Sequence, residues 1–321
     1  MTEYLACGNI MSDVIEKEDG SISDVHIGGP ALYALAGIRM WTKNCDLLTV
    51  TGADHAEKYG QWLLDNGMST DHVHVEMENG TNMHLAYNEN DGGFRYRPER
   101  SIEYMGYLKT HPYHIDQTAT DDLKGIYMAN NTDRIVWQKM KEVKDKHHYK
   151  IMWELEYPSL KIFGEDRQEY ICRIRDALTV ADMWSINYNE ASDLFGIDRE
   201  DDEAIIEKLK ELPAEMTFYR VGQRGSYVIS RNKTAFCESI DPIGETVDPT
   251  GCGNCSTGAA MYAWTSGRDE LDTAIMANIA SGFNAHQFGP YPLFTDEDMA
   301  YAEELRAKYR KEKEHNEERR V

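Results

Sequence analysis

Long apolar runs are missing from this sequence, and cations are scarce in it. No stretch approaches the ~18 consecutive apolar residues of a membrane-spanning helix, and the first residues lack the basic and apolar regions of a signal peptide. Lysine and arginine total 34 against 56 aspartates and glutamates, which gives a formal net charge of −22. Because nucleic acids and anionic membranes both attract positive surfaces, we expect neither as a partner. We expect a cytoplasmic protein.

A disulfide framework, internal repeats and low-complexity linkers are also missing. The six cysteines of the 321-residue chain show no framework spacing, which agrees with a reducing compartment. Hydrophobic residues make up 41% of the chain, enough to bury one large core. We therefore predict a single main domain over residues 1–321.

What the sequence does contain is a regular alternation of strand and helix patterns. Short apolar runs that are typical of strands occupy residues 4–7, 46–50, 126–129, 150–154, 183–186 and 217–221. Helical periodicity marks residues 56–66, 135–145, 166–179 and 201–212. This alternation predicts an α/β fold, with a doubly wound, mostly parallel sheet and helices on both faces.

Two segments of the first third interrupt the alternation. Residues 14–27, with Asp-Gly at their centre, and residues 81–97, with Asn-Asp-Gly-Gly at theirs, both have the pattern of β-hairpins. Two such hairpins can pair into one small sheet. We predict a small β-sheet lid over a binding site, formed by about residues 10–27 and 80–104.

The most informative stretch is a turn of small residues that leads into a helix of small residues. From position 247 it reads Val-Asp-Pro-Thr-Gly-Cys-Gly-Asn, and Cys-Ser-Thr-Gly-Ala-Ala-Met follows directly. Such a turn exposes backbone N–H groups at the positive end of a helix dipole. We expect the N–H groups of Gly251, Cys252, Gly253 and Asn254 to form an anion hole for a phosphoryl group.

This stretch resembles the closing signature of the PfkB, or ribokinase-like, family of carbohydrate kinases. The usual form is Asp-Thr-x-Gly-Ala-Gly-Asp, whose last Asp deprotonates the sugar hydroxyl. Other segments follow in the family's order: Gly-Asn-Ile-Met-Ser-Asp from position 8, Gly-Gly-Pro-Ala-Leu-Tyr from 28, Gly-Ala-Asp from 52, Asn-Tyr-Asn-Glu from 187 and Arg-Val-Gly-Gln-Arg-Gly from 220. Each motif is weak alone, but together and in this order they indicate the ribokinase-like fold.

The resemblance implies an ATP-dependent kinase of a small sugar, a sugar acid or a related polyol, with ATP and Mg²⁺ as cofactors. It implies substrate-binding residues at Asp13, Gly28, Gly29 and Tyr33, and nucleotide-binding residues at Asn187, Arg220, Gly222, Gly225 and Asn278. Glu190 would act on Mg²⁺ through water, and Asp248 and Thr250 match a monovalent-cation site that implies activation by K⁺. Because lids of this family often pair, we expect a homodimer through the lid.

Three positions depart from the family pattern. Asn254 replaces the catalytic Asp, Tyr33 replaces an Asn, and Arg220 replaces a Thr and could reach a phosphate. Three explanations of Asn254 stay open: a substrate that needs no strong base, a base supplied by Asp13 or Asp248, or a pseudokinase that binds without turnover as a sensor or scaffold. Asn is also a preferred helix N-cap, which would explain the residue by structure alone.

Finer patterns add three hypotheses. The segments from positions 28, 153 and 248 together are similar to the maintenance-of-killer branch of the family, in which the Asn would be a branch trait. The lid segment Phe-Arg-Tyr-Arg, which ends at Arg97, is similar to the Tyr-x-Arg stretch with which sugar-acid kinases hold a carboxylate. Cys252 and Cys255 form a Cys-x-x-Cys at a helix start, where thiol pKa values fall, so a redox function is a rival hypothesis.

Overall fold

A computed structural model of the protein describes residues 2–16, 20–88 and 93–318. Its strands are β1 (Tyr4–Asn9), β2 (Met11–Glu16), β3 (His26–Gly28), β4 (Cys45–Gly52), β5 (Val73–Met77), β6 (Asn82–Asn88), β7 (Gly93–Pro98), β8 (Gly125–Asn130), β9 (Lys150–Leu155), β10 (Met183–Asn187), β11 (Met216–Arg220), β12 (Ser226–Ser230) and β13 (Thr234–Cys237).

The helices lie between and after these strands. They are α1 (Pro30–Arg39), α2 (Ala53–Asp65), α3 (Ile102–Tyr107), α4 (Pro112–Thr118), α5 (Arg134–His147), α6 (Leu160–Phe163), α7 (Arg167–Ala177), α8 (Tyr188–Phe195), α9 (Asp202–Lys210), α10 (Cys252–Thr265), α11 (Glu270–Asn284) and α12 (Asp296–Glu318). A short 3₁₀ turn spans Gly222–Arg224. Among the described residues, no helix is both long and apolar enough to cross a membrane.

One large sheet organises the chain, with nine strands in the order β13-β12-β11-β10-β9-β8-β1-β4-β5. The strands from β11 to β5 in this order run parallel, whereas β12 and β13 form an antiparallel extension. The chain runs from β1 towards β5 and then returns to β8 on the other side of β1. Open α/β sheets bind their ligands at such a change of direction, outside the carboxyl ends of the strands.

Helices cover both faces of this sheet, as the alternation predicts. On one face, α1, α10 and α11 pack against residues such as Tyr127 of β8 and Met183 of β10. On the other face, α5, α7 and α8 pack against Trp153 of β9 and Trp184 of β10, both fully buried. Side chains of one strand point alternately to the two covered faces, which explains why β8 to β11 are mostly apolar, with charged residues at strand ends such as Lys150 and Arg220.

A second, four-stranded sheet has the order β3-β2-β6-β7. β2 pairs antiparallel with β3, β6 pairs antiparallel with β7, and β2 runs parallel to β6. The two predicted hairpins thus form one small sheet. The predicted turns are centred on residues 19–20 and 90–93, of which 19 and 90–92 lie outside the described residues, and the end of the second segment begins α3 instead. That this sheet acts as a lid stays a prediction.

Three strands of the large sheet escape the sequence patterns. β5 reads Val-His-Val-Glu-Met, which has polar side chains on an edge strand, and β12 and β13 are short strands beyond the parallel part. The helices α1 and α11 are also missed, because nearly every side chain in them is buried and the polar face that makes helical periodicity visible is absent.

Candidate active site

A deep cleft lies at the carboxyl ends of the parallel strands. The last residues of β1, β8, β10 and β11 line it, together with the inner face of the small sheet and the start of α10. Its volume is about 2120 Å³. Sites for one small ligand usually measure ~300–1,000 Å³, so this cleft has room for two ligands side by side.

The start of α10 forms the centre of the cleft. Its N-cap is Gly251, whose φ of 76° is in the left-handed region that favours glycine. A Cβ at Gly251 would overlap the ring of Tyr33. The N–H groups of the first turn have no acceptor inside the helix, but that of Cys252 donates to the carbonyl of Pro249 at 3.2 Å. Of the four predicted donors of the anion hole, that of Cys252 is therefore engaged, whereas no acceptor in the described part of the chain is recorded for those of Gly251, Gly253 and Asn254.

Asn254 is the third residue of α10 and is not its N-cap, so the purely structural explanation of this Asn is wrong. The hydroxyl of Tyr127 donates to Asn254 Oδ1 over 2.8 Å. Burial raises the pKa of Tyr127 well above its usual value, which keeps the hydroxyl protonated as a donor. Asn254 therefore lies in the first turn of α10 with its side-chain oxygen bonded to a tyrosine of the sheet.

Arg220, at the end of β11, forms a buried ion pair with Glu154 of β9. Glu154 Oε2 also accepts from the hydroxyl of Thr257 in α10 at 2.8 Å. A Cβ at Gly253 would overlap Arg220 Nη1, so the guanidinium lies directly against the first turn of α10. Burial opposes the charge of Arg220, but the carboxylates of Glu154 and Glu190 outweigh it and raise the pKa of Arg220. A permanent cation thus stands beside the anion hole.

Asn187 and Glu190 form a capping box at the start of α8. Asn187 Oδ1 accepts from the N–H of Glu190 at 3.0 Å, and Glu190 Oε2 accepts from the N–H of Asn187 at 2.9 Å. Burial raises the pKa of Glu190 to about 7, against the opposing effect of Arg220. One carboxylate oriented at the edge of the cleft suits Mg²⁺, which usually keeps several waters and takes few protein ligands. No group of three or more candidate ligands is preassembled for a metal within the described ranges.

The predicted nucleotide loop follows β11 directly. Gly222 is the first residue of the 3₁₀ turn and Gly225 directly follows the turn, and both glycines line the cleft. At Gly225, with φ of 120°, a Cβ would overlap the carbonyl of Cys237. Asn278 of α11 also lines the cleft, but its Nδ2 donates to the carbonyls of Cys237 and Glu238 at 2.8 and 2.9 Å. The amide of Asn278 therefore holds this wall together rather than pointing free towards a nucleotide.

The residues predicted to bind the substrate lie together at the start of α10, on the side away from Arg220 and the predicted nucleotide loop. Asp13 of β2 is 3% exposed, and its Oδ2 accepts from the Tyr33 hydroxyl at 3.3 Å. A Cβ at Gly28 would overlap this carboxylate, and the N–H of Gly29 donates to it. Burial raises the pKa of Asp13 to about 7, and the nearby charge of Asp248 acts in the same direction.

The small sheet presents an apolar inner face to the cleft. Met83, Leu85 and Tyr96 line the cleft, and Leu85 and Tyr96 are register partners. Alternate side chains of a strand point to opposite faces, which places Arg97 on the outer face, where it is exposed. The structure thus does not bring Arg97 to the cleft, whereas its neighbour Tyr96 lines it.

Cys252 and Cys255 do not have the environment of redox cysteines. Their thiols donate to the carbonyls of Ser281 and Ala280 in α11. Burial raises the pKa of Cys252 to about 11 and that of Cys255 well above its usual value. The expectation that the helix start lowers these pKa values is wrong here, because desolvation outweighs the helix dipole.

The comparisons with known proteins agree with this geometry. The model of the pfkB family of carbohydrate kinases matches residues 1–296, more than nine-tenths of the chain. The chain belongs to the pfkB family. Among curated proteins, an uncharacterized protein of Schizosaccharomyces pombe is 24% identical over 326 residues, covering 89% of this chain and 85% of its own.

Solved structures of kinases share the fold of this pfkB protein. A Burkholderia thailandensis nucleoside kinase in complex with inosine is 17% identical, with a TM-score of 0.70, 94% of this chain covered and 96% of that one. A putative ribokinase II from E. coli in complex with ATP and Mg²⁺ is 17% identical, with a TM-score of 0.70 and coverages of 95% and 100%. Arabidopsis thaliana ribokinase complexed with ribose and ATP is 15% identical, with a TM-score of 0.69 and coverages of 95% and 99%.

Two residues of the site, Glu154 and Tyr127, received no role from the sequence. Glu154 ends an otherwise apolar strand pattern, and an acid at the carboxyl end of a parallel strand is a usable signal. Tyr127 lies inside a buried strand and carries no such signal. Both are found only when β8 and β9 are placed beside the start of α10.

Proposed function

We propose that this pfkB protein transfers the γ-phosphoryl group of ATP to a hydroxyl of a small sugar, a sugar acid or a related polyol. One observation carries the proposal: the start of α10 lies between a cation, Arg220, and a buried carboxylate, Asp13. Phosphoryl transfer needs a cation to stabilise the charge of the transferring group and a polar side chain such as a carboxylate to bind the acceptor. The volume of the cleft supports binding of two substrates at once.

In this proposal the nucleotide lies on the side of β10 and β11. The backbone around Gly222 and Gly225 approaches it closely, and Asn187 closes the same side. Glu190 would hold Mg²⁺ through water, and the ion would supply neutralisation of the charge on the phosphates. Arg220 and the N–H groups of Gly253 and Asn254 receive the negative charge that the transferring phosphoryl group carries in a loose transition state.

The acceptor lies between the small sheet and α1. Asp13 accepts hydrogen bonds from its hydroxyls, Gly28 and Gly29 let the backbone approach it, and the Tyr33 ring replaces the amide that the family usually has. Activation by K⁺ beside Asp248 and Thr250 stays a prediction. In the structure, Asp248 Oδ1 accepts from the N–H and the hydroxyl of Thr250 at 3.0 and 2.7 Å, which orders this turn without a cation.

A second candidate is a pseudokinase that binds sugar or nucleotide as a sensor or scaffold. The observation in its favour is Asn254, because an amide takes no proton and its oxygen is already bonded to Tyr127. General-base catalysis contributes ~10²–10⁴ in rate, so a site without any base would retain binding and lose most turnover. The cytoplasmic location, the lid-mediated homodimer and the maintenance-of-killer branch stay predictions.

A ligand panel separates these functions. Thermal shifts are measured with sugars, sugar acids and polyols, each with and without ATP–Mg²⁺, and every hit is tested for phosphoryl transfer. A kinase gives shifts with ATP–Mg²⁺ and ADP release that depends on the hit. Shifts without ADP release identify the pseudokinase. A wild-type protein with no affinity for any nucleotide contradicts both.

A further inference from the structure

With Asn254 in place of a carboxylate, the site lacks the expected acceptor for the proton. A buried carboxylate, that of Asp13, lies on the side where we place the sugar or polyol. We propose that Asp13 is the general base, taking the proton of the acceptor hydroxyl in place of the carboxylate that Asn254 lacks. This inference rests on the proposed kinase function. The acceptor O–H bond breaks as its oxygen bonds to the γ-phosphorus, and the proton goes to Asp13. The bond from the γ-phosphorus to the β–γ bridging oxygen breaks, and ADP leaves with that electron pair.

Two carboxylates at the end of β9 are held by cations. Glu154 is paired with Arg220 and accepts from Thr257. Glu156 is paired with Lys109. Both carboxylates are therefore already engaged with cations, and neither is the carboxylate that we place beside the acceptor hydroxyl.

Two further carboxylates are engaged with the backbone of their own segments. Asp248 Oδ1 accepts two hydrogen bonds from Thr250. Glu190 accepts from the N–H of Asn187 on the nucleotide side, where Mg²⁺ is expected. Glu190 therefore lies away from the proposed acceptor, and Asp248, which faces Asp13, has one carboxylate oxygen already engaged with Thr250.

Asp13 meets the geometric needs of a base. The Tyr33 ring packs on Gly251, the N-cap of α10, and the hydroxyl of the same ring donates to Asp13. Asp13, Tyr33 and Gly251 all line the same cleft. In our proposal the acceptor hydroxyl binds in the cleft beside the Tyr33 ring, with the carboxylate on one side and the phosphoryl group on the other. The side-chain partner of Asp13, Tyr33, is neutral, which leaves the carboxylate basic.

The titration of Asp13 is consistent with this role. Its pKa is raised to about 7 by burial, and a base is most effective when its pKa is near the working pH. The titratable groups that face it are Tyr33 of α1, Asp248 of the turn before α10 and Tyr96 of β7. His26 of β3 is its register partner in the small sheet. Burial raises the pKa of Tyr33 well above its usual value, so this hydroxyl stays neutral.

The first test measures ADP release from ATP–Mg²⁺ with water alone and with D-ribose, D-fructose or inosine as acceptor. In the fastest of these reactions, Asp13→Asn should lower kcat by ~10²–10⁴, the usual value of general-base catalysis. The wild-type rate should fall at acid pH with a midpoint near pH 7, and the variant should lack this limb. Affinity for ATP–Mg²⁺, measured by calorimetry, should not change. Asp24→Asn, the same change at an exposed carboxylate between β2 and β3, should retain wild-type kcat.

The second test introduces a carboxylate at position 254, on the side of the acceptor hydroxyl opposite Asp13. Asn254→Asp introduced into Asp13→Asn should restore most of the lost kcat, because either carboxylate can accept the proton. If Asp13 only holds the substrate, KM rises in Asp13→Asn, the acid limb remains and Asn254→Asp restores nothing.

A third measurement needs no acceptor. Folded Asp13 keeps its proton up to about pH 7, whereas the unfolded chain loses it near pH 4, so wild-type stability falls as the pH rises through this window. The Asp13→Asn variant has no carboxyl group at this position and does not lose stability in this way. The Tm of the variant minus the Tm of the wild type should therefore be about 2–4 °C larger at pH 8 than at pH 5.

The outcomes separate this inference from the function on which it rests. No ATP affinity and no ADP release in the wild type contradict the proposed kinase. Two outcomes would overturn the role of Asp13 and leave the kinase function standing. In one, ADP release survives in Asp13→Asn. In the other, Asp248→Asn abolishes ADP release together with the acid limb of the pH profile. An equal gain in Tm at pH 5 and pH 8 also counts against the role of Asp13.

Discussion

The two halves of the cleft hold their polar side chains in different ways. On the nucleotide side, Arg220 is paired with Glu154, and Glu190 is bonded to the first residue of its own capping box. On the acceptor side, the donors recorded for Asp13 among the described residues, the Tyr33 hydroxyl and the Gly29 N–H, are neutral, and Tyr33 is held by close packing against Gly251. Charge compensation orders the first half, and van der Waals contact orders the second.

This difference shows how two departures from the family pattern are accommodated. An arginine in the place of a threonine brings a charge into a buried position, and Glu154 compensates that charge. A tyrosine in the place of an asparagine brings volume, and the absence of a side chain at Gly251 makes room for it. Arg220 is thus accommodated by Glu154, and Tyr33 is accommodated by Gly251. Substitutions at Glu154 and Gly251 should therefore lower the free energy of unfolding by different amounts.

The largest effect is expected on the acceptor side. Gly251→Ala places a methyl group inside the Tyr33 ring and forces alanine into a left-handed conformation. Together, overpacking and backbone strain should lower the free energy of unfolding by about 4 kcal/mol, measured by urea denaturation. Gly60→Ala is the matched control, since a Cβ there meets no atom within 4 Å. The control should be neutral or stabilising by up to ~1 kcal/mol, because Gly60 lies inside α2. Equal costs at both positions would show that Tyr33 moves aside.

Breaking the charge pair of the nucleotide side should have the next largest effect. Glu154→Gln leaves the guanidinium of Arg220 without its carboxylate and should cost about 3 kcal/mol of unfolding free energy, at the lower end for buried pairs because Arg220 keeps some solvent contact. The double variant Glu154→Gln with Arg220→Thr removes both charges and should regain most of this loss. A strictly additive double-mutant cycle would mean that the two residues do not stabilise each other.

A smaller effect is expected where the two halves meet. Tyr127→Phe removes the hydrogen bond to Asn254 Oδ1 and should cost about 1 kcal/mol of stability. Tyr149→Phe is the matched control, because its buried hydroxyl has no hydrogen-bond partner in the described part of the chain. That control should be neutral or slightly stabilising. If both variants lose the same stability, the bond to Asn254 contributes nothing specific.

The smallest effect concerns the Cys-x-x-Cys sequence. With a pKa of about 11, Cys252 is almost entirely a thiol at pH 7, and the thiolate is the species that reacts. Iodoacetamide should therefore alkylate the exposed Cys172 well before Cys252, as followed by peptide mass spectrometry. Cys252→Ser should leave ATP affinity unchanged. Preferential alkylation of Cys252 would revive the redox hypothesis.

Many features of the fold and of the site follow from local patterns. Each predicted strand of the parallel sheet corresponds to an observed one within a few residues, because buried parallel strands are short apolar runs bounded by helices. The start of α10 was also predictable, since small residues and glycines are needed wherever a backbone must approach a phosphate. The edge strand β5 and the buried helix α1 were not, because exposure at an edge and complete burial both erase the periodic signal.

What the sequence determined by itself was the alternation that specifies a doubly wound sheet and the order of motifs that marks the family. Both are local, since each depends on residues within one strand, turn or helix. Only the tertiary structure decided which partners these motifs meet. Tyr127 reaches Asn254 across 127 positions and Glu154 reaches Thr257 across 103. Such contacts depend on strand order and helix packing, and the pKa values of Asp13 and Cys252 depend on the burial that results.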